Sequence, residues 1–210
     1  MLSWLTRGSK PPAYPGLRAA GKSMFEKVMA ATKPSGLDMV KAARALGLPT
    51  PGNVLVLDGE TDMNALLDFY LAELRVQGRT LAETCDSTSA DLTQLEADYL
   101  EAICRSRTSL FQVASVLPAK QQIVLRDVLE QERPEVFLTD INLCRSLQQL
   151  RAQVLLFLRV LEVEGIFMSS GLFFLFDPAH HDRLVQSFRQ KMKKVDSAEW
   201  TERKFAFFFE

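Results

Sequence analysis

The sequence contains few of the residues from which metal sites and disulfide frameworks are built. Its three cysteines, Cys85, Cys104 and Cys144, are far apart, and none belongs to a C-x-x-C pair. This spacing indicates reduced thiols of a cytoplasmic protein rather than disulfides or a zinc site. The two histidines, His180 and His181, are adjacent, and adjacent residues on a helix point about 100° apart. We therefore expect neither a metal site nor a cofactor.

The sequence also lacks an uninterrupted apolar run long enough to cross a membrane. Its most apolar region, 154–176, contains Arg159, Glu162 and Glu164, and such charges are costly inside a bilayer. The first ten residues, MLSWLTRGSK, lack the basic n-region and the small-residue cleavage site of a secretory signal. These features predict a cytoplasmic protein without a membrane partner.

A large net charge is absent too, since the formal net charge is -1. This value excludes a surface built entirely for nucleic acid. The charge is nevertheless uneven, because residues 1–50 carry eight basic groups against two acids, whereas residues 51–103 carry eleven acids against two arginines. Two interpretations remain open: the two blocks attract each other within the fold, or the basic block is a face for an anionic partner. The first is the more ordinary.

Apolar spacing and turn residues predict a helical first half. The predicted helices are 18–32, 37–46, a helix capped by Asp62 that ends before a C′ glycine at Gly78, and 91–105. The five residues 54–58 (VLVLD) are a short apolar run ahead of the third helix. From residue 109 onward, short apolar runs separated by turn segments of four or five residues predict two consecutive hairpins.

The remaining elements complete the predicted fold. Residues 167–176 predict one further bent strand or hairpin with Gly171 at the bend, and two helices close the chain. The fold class is α+β, with a helical N-terminal half, an antiparallel sheet or small barrel of four to six strands over 109–176, and C-terminal helices. The predicted units are an irregular basic leader 1–16, a helical region 17–106, a β-domain 107–178 and helices 179–210.

Three phrases together resemble a loosely defined group of uncharacterised bacterial proteins. They are MNALLDFYLAELRVQGRTLAE at 63–83, SLFQVASVLPAKQQIVLRDVL at 109–129, and LTDINLCRSL at 138–147. The resemblance covers about residues 60–180 and implies helices followed by a small barrel-like sheet, without an established activity. Some members of the group carry a C-terminal SEC-C-type zinc motif, but this chain has no such cysteine cluster.

The segment 147–164 fits two structures. Leu147, Leu150, Val154, Leu158 and Leu161 have helical spacing, whereas the run VLLFLRVLEV suits a strand that is buried on both faces. The resemblance to a group with a small β-domain favours the strand.

The stretch GLRAAGKS at 16–23 matches the phosphate-binding pattern G-x-x-x-x-G-K-[ST]. In a nucleotide-binding protein, Gly16, Gly21, Lys22 and Ser23 would surround the phosphates, and Asp58 at the end of a buried strand would hold Mg²⁺. Three prolines ahead of Gly16 oppose the buried strand that such a loop needs. The rest of the chain also lacks alternating strands and helices. Nucleotide binding is therefore an alternative hypothesis.

No convincing catalytic set is present, so the leading hypothesis is a non-enzymatic interaction or regulatory module. Its partner would be another protein or a second copy of the chain. The candidate partner-binding residues are Arg18, Lys22, Arg105, Arg107, Phe207 and Phe209. The terminal AFFF run must dock on the core or on a partner. A second alternative is a nucleic-acid-binding barrel, because basic groups lie next to strands that contain phenylalanines.

Overall fold

A computed structural model describes residues 14–150 and 154–210, in which eight α-helices accompany one five-stranded sheet. The helices are α1 (Tyr14–Thr32), α2 (Gly36–Ala45), α3 (Glu60–Ala72), α4 (Leu81–Thr84), α5 (Gln94–Arg105), α6 (Ile141–Leu150), α7 (His181–Met192) and α8 (Trp200–Phe209). The strands are β1 (Arg107–Leu117), β2 (Gln122–Asp127), β3 (Val136–Thr139), β4 (Leu155–Val163) and β5 (Ile166–Phe176). The predicted α+β class with a small antiparallel sheet is confirmed. Of the predicted leader 1–16, residues 1–13 lie outside the described residues, and residues 14–16 are already helical.

Three of the helices begin at a serine or threonine that caps the N-terminus of the helix. The caps are Ser35 of α2, Thr80 of α4 and Thr93 of α5. Each cap side chain accepts a hydrogen bond from the backbone N–H three residues later, and the acidic residue at that position accepts one from the N–H of the cap. These reciprocal bonds satisfy N–H groups that a helix start leaves unpaired, and one cap stabilises its helix by about 1 kcal/mol.

The helix predicted with its cap at Asp62 and a C′ glycine at Gly78 differs at both ends. Its N-cap is Gly59, without a side-chain cap bond, and Asp62 lies in the first turn of α3. α3 ends at Ala72, and Gly78 instead lies in the turn between Val76 and Arg79, which form an isolated antiparallel bridge. Gly78 has a φ of +80°, a left-handed conformation that glycine adopts without strain. The turn itself therefore explains the glycine at this position, without a helix end.

The sheet is antiparallel throughout, in the order β3-β2-β1-β4-β5. The two predicted hairpins are confirmed as β1–β2 and β2–β3, after which α6 crosses the sheet so that β4 pairs with β1. The sheet is strongly curled, and its edge strands β3 and β5 therefore approach each other within 8 Å between Cα atoms. β5 is one bent strand, and Gly171 has a φ of +110° close to a register shift between β4 and β5.

The ambiguous segment 147–164 contains both of the structures that its pattern fits. Its first residues complete α6, and Leu155–Val163 form β4, as the strand interpretation predicted. Eight of the nine residues of β4 are buried, because helices cover one face of the sheet and α6 covers part of the other. Burial on both faces explains why a continuous apolar run replaces the usual alternation.

Alternate residues of the strands face different cores. One face packs Phe111, Leu125 and Leu158 against α6. The opposite face meets the helices in two apolar clusters: Leu155 and Phe157 pack under α2, α3, α7 and α8, while Leu161 and Val163 pack under α1 and α5. Arg159 stands between these clusters along β4, at a position that is only 3% exposed.

The terminal aromatic run belongs to the larger of these clusters. Phe208 stacks on Phe157 with ring centroids 4.5 Å apart, and Phe205 meets the same ring edge-on at 5.7 Å. Phe207 packs on Phe188 at 5.5 Å, and Phe209 packs on Phe174 at 5.8 Å. The AFFF run therefore docks on the core of its own chain.

The basic and acidic blocks meet in an ion pair within the described part of the fold. Lys27 of α1 lies 2.7 Å from the carboxylate of Glu96 on α5. The hydrogen bond from Lys27 lowers the pKa of Glu96 to about 2, and Ser23 acts in the same direction. This contact supports the ordinary interpretation of the charge blocks. Within the part of the chain that the structure describes, no helix combines the length and the apolar character that a membrane span requires.

Candidate functional site

The predicted phosphate-binding stretch is part of a continuous helix. Gly16, Gly21, Lys22 and Ser23 all lie in α1. A phosphate loop needs free N–H groups that point at the phosphates, whereas Gly21, Lys22 and Ser23 lie inside the helix, where N–H groups are bonded to carbonyls four residues earlier. These residues therefore lack the loop conformation on which the motif depends, and nucleotide binding stays a prediction without support from this geometry.

Asp58, the predicted magnesium ligand, does not end a buried strand. The run 54–58 has no strand partner among the described residues, and Val54 is 62% exposed. Leu55 and Leu57 alternate inward onto the core, so the run is an extended connection between α2 and α3. Asp58 is exposed, and its backbone N–H donates to the carboxylate of Asp62 at 2.8 Å.

Gly21 has a packing role instead. A Cβ atom at this position would lie 2.5 Å from Cζ of Tyr99, a ring that is only 4% exposed. The missing side chain therefore lets α1 lie directly against the Tyr99 ring on α5. This close helix–helix approach explains the glycine without any ligand.

Gly21→Ala is expected to lower the free energy of unfolding by about 1–3 kcal/mol, because the new methyl group overpacks the Tyr99 ring. Gly16 is the matched control, since it is exposed in the same helix. Gly16→Ala should raise the free energy of unfolding by up to about 1 kcal/mol, the difference in helix propensity. Urea unfolding followed by circular dichroism measures both. Equal effects of the two substitutions would contradict the packing role.

An open cleft with a volume of about 380 Å³ lies between α1, α3, α5 and β5. Its apolar walls are Met24, Phe25, Leu67, Leu71, Ile103 and Leu172. Its polar lining is Arg18, Lys22, Asn64, Asp68, Tyr99 and Ser170. Mostly apolar walls with a few polar groups, in this range of volumes, are typical of small-molecule sites. The cleft brings together two predicted partner-binding residues, Arg18 and Lys22.

Two polar groups of the cleft have very different surroundings. The Arg18 guanidinium is fully engaged: it donates to the Tyr14 hydroxyl at 2.7 Å, to the Ser169 carbonyl at 2.7 Å and to the Asp140 carboxylate at 2.7 Å. The hydroxyl of Ser170 is buried and has no hydrogen-bond partner among the residues that the structure describes. Buried hydroxyls are nearly always bonded, so this one has an unused bonding capacity at the wall of the cleft.

The electrostatic balance of the cleft is positive. Asp68 is its acid, but the carboxylate is bound by Arg159 at 2.9 Å, and the same guanidinium binds Glu73 at 2.9 Å. Burial lowers the pKa of Arg159, but the adjacent carboxylates of Asp68 and Glu73 outweigh that effect and raise it above its ordinary value. Lys22, at the rim, is 81% exposed and lies 3.9 Å from Glu26, a weak surface pair. Its ammonium group can therefore turn toward a ligand.

The other predicted partner-binding residues lie elsewhere. Arg105 pairs with Glu101 one turn earlier on α5, and Arg107 pairs with the buried carboxylate of Asp127. Neither arginine lines the cleft. As described above, Phe207 and Phe209 pack on the core.

Sequence reasoning missed most of the polar lining. Asp68 and Tyr99 lie within predicted helices, where nothing local marks them as site residues, and Ser170 carries no motif. Arg159 did have a signal, because it interrupts the most apolar run of the chain. A charge at a position with buried neighbours indicates a buried ion pair.

Within 14–150 and 154–210, no group of three or more histidine, cysteine or acidic side chains is arranged to hold a metal ion.

The chain belongs to a family of unknown function, DUF7986, which it matches over residues 10–210. This membership agrees with the resemblance to an uncharacterised group. No curated protein and no solved structure shows a significant match.

Proposed function

Since membership of that family assigns no activity, we propose that the protein is a non-enzymatic interaction or regulatory module of the bacterial cytoplasm. Its ligand occupies the cleft between α1, α3, α5 and β5. The observation that carries this proposal is the buried, unbonded hydroxyl of Ser170 at the wall of a largely apolar cleft. A ligand atom that completes this hydrogen bond removes the penalty of an unsatisfied buried group.

The lining also indicates the chemistry of the ligand. The apolar walls accept a hydrocarbon or aromatic body, whereas Ser170 and the mobile ammonium of Lys22 favour a hydrogen-bond acceptor with negative charge. A small amphipathic carboxylate has both features. Ser170 has no histidine or free carboxylate beside it in the cleft lining, so nothing activates it as a nucleophile. This lining supports binding rather than catalysis.

Binding of amphipathic carboxylates, compared with the corresponding alcohols, tests the proposal. By isothermal titration we expect medium-chain or aromatic carboxylates to bind and the alcohols to bind more weakly. Ser170→Ala should raise the Kd roughly two- to tenfold through loss of one hydrogen bond. Lys22→Gln should weaken the binding of the carboxylates and leave the affinity for the alcohols unchanged. The matched control is Lys41→Gln, since Lys41 is 71% exposed and lies outside the cleft.

Two results would overturn this function. One is that none of the carboxylates binds. The other is that binding is the same in Ser170→Ala and in the wild-type protein.

A second candidate is an interface with a partner protein or a second copy of the chain. It is favoured by large hydrophobic side chains that stay exposed around α2 and the start of α3: Leu37 (63%), Val54 (62%), Val56 (45%) and Met63 (40%). Light scattering distinguishes the two candidates. An assembly larger than a monomer that Val54→Ser disrupts supports the interface, whereas a monomer that recovers no partner contradicts it.

The remaining alternatives have less support. Nucleotide binding by residues 16–23 lacks its loop, as described above. For a nucleic-acid-binding barrel, Arg105 and Arg107 already have acidic partners. Phe111 and Phe157 are fully buried, so neither ring is available to stack on a base, and of the three phenylalanines in question only Phe137 on β3, at 52%, is exposed.

A further inference from the structure

A second, smaller cavity lies on the other side of the Arg159 ion pairs. It has a volume of about 100 Å³ and is enclosed by the end of α3, the end of α5, the starts of β1 and α4, and one face of α8. Four basic side chains and two acidic ones line it: Arg75, Arg107, Arg159 and Lys204 against Glu73 and Glu83. The lining of the cavity therefore carries an excess of positive charge.

The three arginines of the cavity are already neutralised. Arg159 binds Glu73 and Asp68, Arg75 lies 3.3 Å from Glu83, and Arg107 pairs with Asp127. Counted with Asp68 and Asp127, the four basic groups face four carboxylates, and Lys204 is the basic group of the lining that makes no ion pair with a described residue.

Lys204 is only 4% exposed, yet its ammonium group has no hydrogen bond or ion pair with any residue in the described part of the chain. Its one polar contact is with the face of the Trp200 ring, at 4.9 Å from the ring centroid. An isolated buried ammonium is unfavourable unless a counter-ion joins it.

The acids near Lys204 are bound to other groups. Glu73 accepts hydrogen bonds from Arg159 and Thr108. Asp127 accepts from Arg107, from Ser109 and from two backbone N–H groups, and Glu130 pairs with Arg133. None of the three acids lies within ion-pair distance of Lys204 in the described structure.

A hydroxyl group stands beside this ammonium. Thr201 precedes Lys204 by three residues on α8, so both side chains lie on the same face of the helix and both line the cavity. The Thr201 hydroxyl makes no hydrogen bond to a described residue. One unpaired cation and one free donor thus face a cavity that is smaller than the usual 300–1,000 Å³ of organic-ligand sites and has room for about three waters, at ~30 Å³ each.

We propose that this cavity is a binding site for a compact oxyanion of the size of phosphate, held by Lys204 and Thr201. The anion supplies the counter-ion that Lys204 lacks, and it accepts the hydrogen bond that Thr201 can donate. Charge-assisted hydrogen bonds of this kind are the stronger class. The site differs in position and in ligand from the α1–α3–α5–β5 cleft. A negative result for one proposal therefore does not contradict the other.

The binding should weaken at high pH. Burial lowers the pKa of Lys204, while Glu73, Glu130 and Asp127 act to raise it and Arg159 acts to lower it. Because the oxyanion binds the ammonium form, its affinity falls as the pH rises through this lowered pKa. A bound anion in turn raises the pKa of Lys204.

Titration of the full chain with inorganic phosphate, at constant ionic strength against chloride, tests the proposal. We expect a Kd of about 1 mM or lower at pH 7. Lys204→Met should weaken binding at least roughly tenfold, and Thr201→Val roughly two- to tenfold. Lys41→Met is the matched control, because it removes the same charge from an exposed position outside both cavities and should leave the Kd unchanged. Glycerol phosphate in parallel distinguishes a free ion from a phosphate ester, which should be too large for a cavity of about 100 Å³.

Three results would overturn the inference. The first is a failure of phosphate to bind the wild-type protein. The second is equal binding by wild type and Thr201→Val. This substitution keeps the shape of the side chain, so it tests the inference even if Lys204→Met does not fold. The third is a loss of affinity in Lys41→Met as large as that in Lys204→Met, which would indicate a general charge effect at the surface.

Discussion

Arg159→Met is expected to lower the free energy of unfolding by about 3–5 kcal/mol, the cost of leaving buried charges without their partner. Arg159 is 3% exposed and is the common partner of Asp68 and Glu73, each at 2.9 Å. It also donates to the Ser106 hydroxyl at 3.1 Å. The substitution keeps most of the volume of the side chain, so the loss reports on the two carboxylates rather than on a cavity.

Chemical unfolding of a series of variants tests this expectation. The midpoint of urea unfolding should fall by roughly 2 M if the slope is about 2 kcal/mol per M. Adding Asp68→Asn and Glu73→Gln to Arg159→Met should restore most of the stability, because neither carboxylate is then left buried without its arginine. Arg105→Met removes an exposed pair and should cost at most about 1 kcal/mol. If Arg159→Met costs no more than this control, the ion pairs do not stabilise the fold.

Phe205→Ala is the second large effect, again with an expected loss of about 3–5 kcal/mol. The ring is 1% exposed and lies 5.5 Å from Phe69 on α3 and 5.7 Å from Phe157 on β4, measured between ring centroids. It therefore joins α8 and α3 to the sheet at one point. Its removal leaves a cavity that three separate elements would have to close.

Phe209→Ala is the matched control for this substitution, because Phe209 is on the same helix and is only partly buried. We expect a clearly smaller loss, since less apolar surface returns to water. Thermal and urea unfolding of both variants give the comparison. If Phe205→Ala and Phe209→Ala cost the same small amount, the C-terminal helix is not part of the cooperative core.

Local sequence signals predicted much of the fold because they act over short distances. The predicted helices 18–32, 37–46 and 91–105 follow from apolar spacing and turn residues, and the two hairpins follow from short turns between apolar runs. None of these features needs a distant partner.

The candidate sites could not be predicted in the same way. GLRAAGKS has the letters of a phosphate loop, but whether its glycines surround a ligand or pack on a ring depends on Tyr99, far along the chain. Ser170 acquires an unused hydroxyl only because β5 is placed against α1 and α3. Asp68 is one acid among many until Arg159 reaches it.

The chain alone thus carries its fold class, most of its helices and its two hairpins, because propensity, turn residues and apolar spacing are properties of neighbouring residues. Which charges are buried, which are paired and which face a cavity is decided by contacts between residues about a hundred positions apart. Arg159 with Asp68, and Lys204 with its surroundings, are the clearest cases. Their energies depend on burial and on the loss of solvent, which exist only once the helices lie on the sheet.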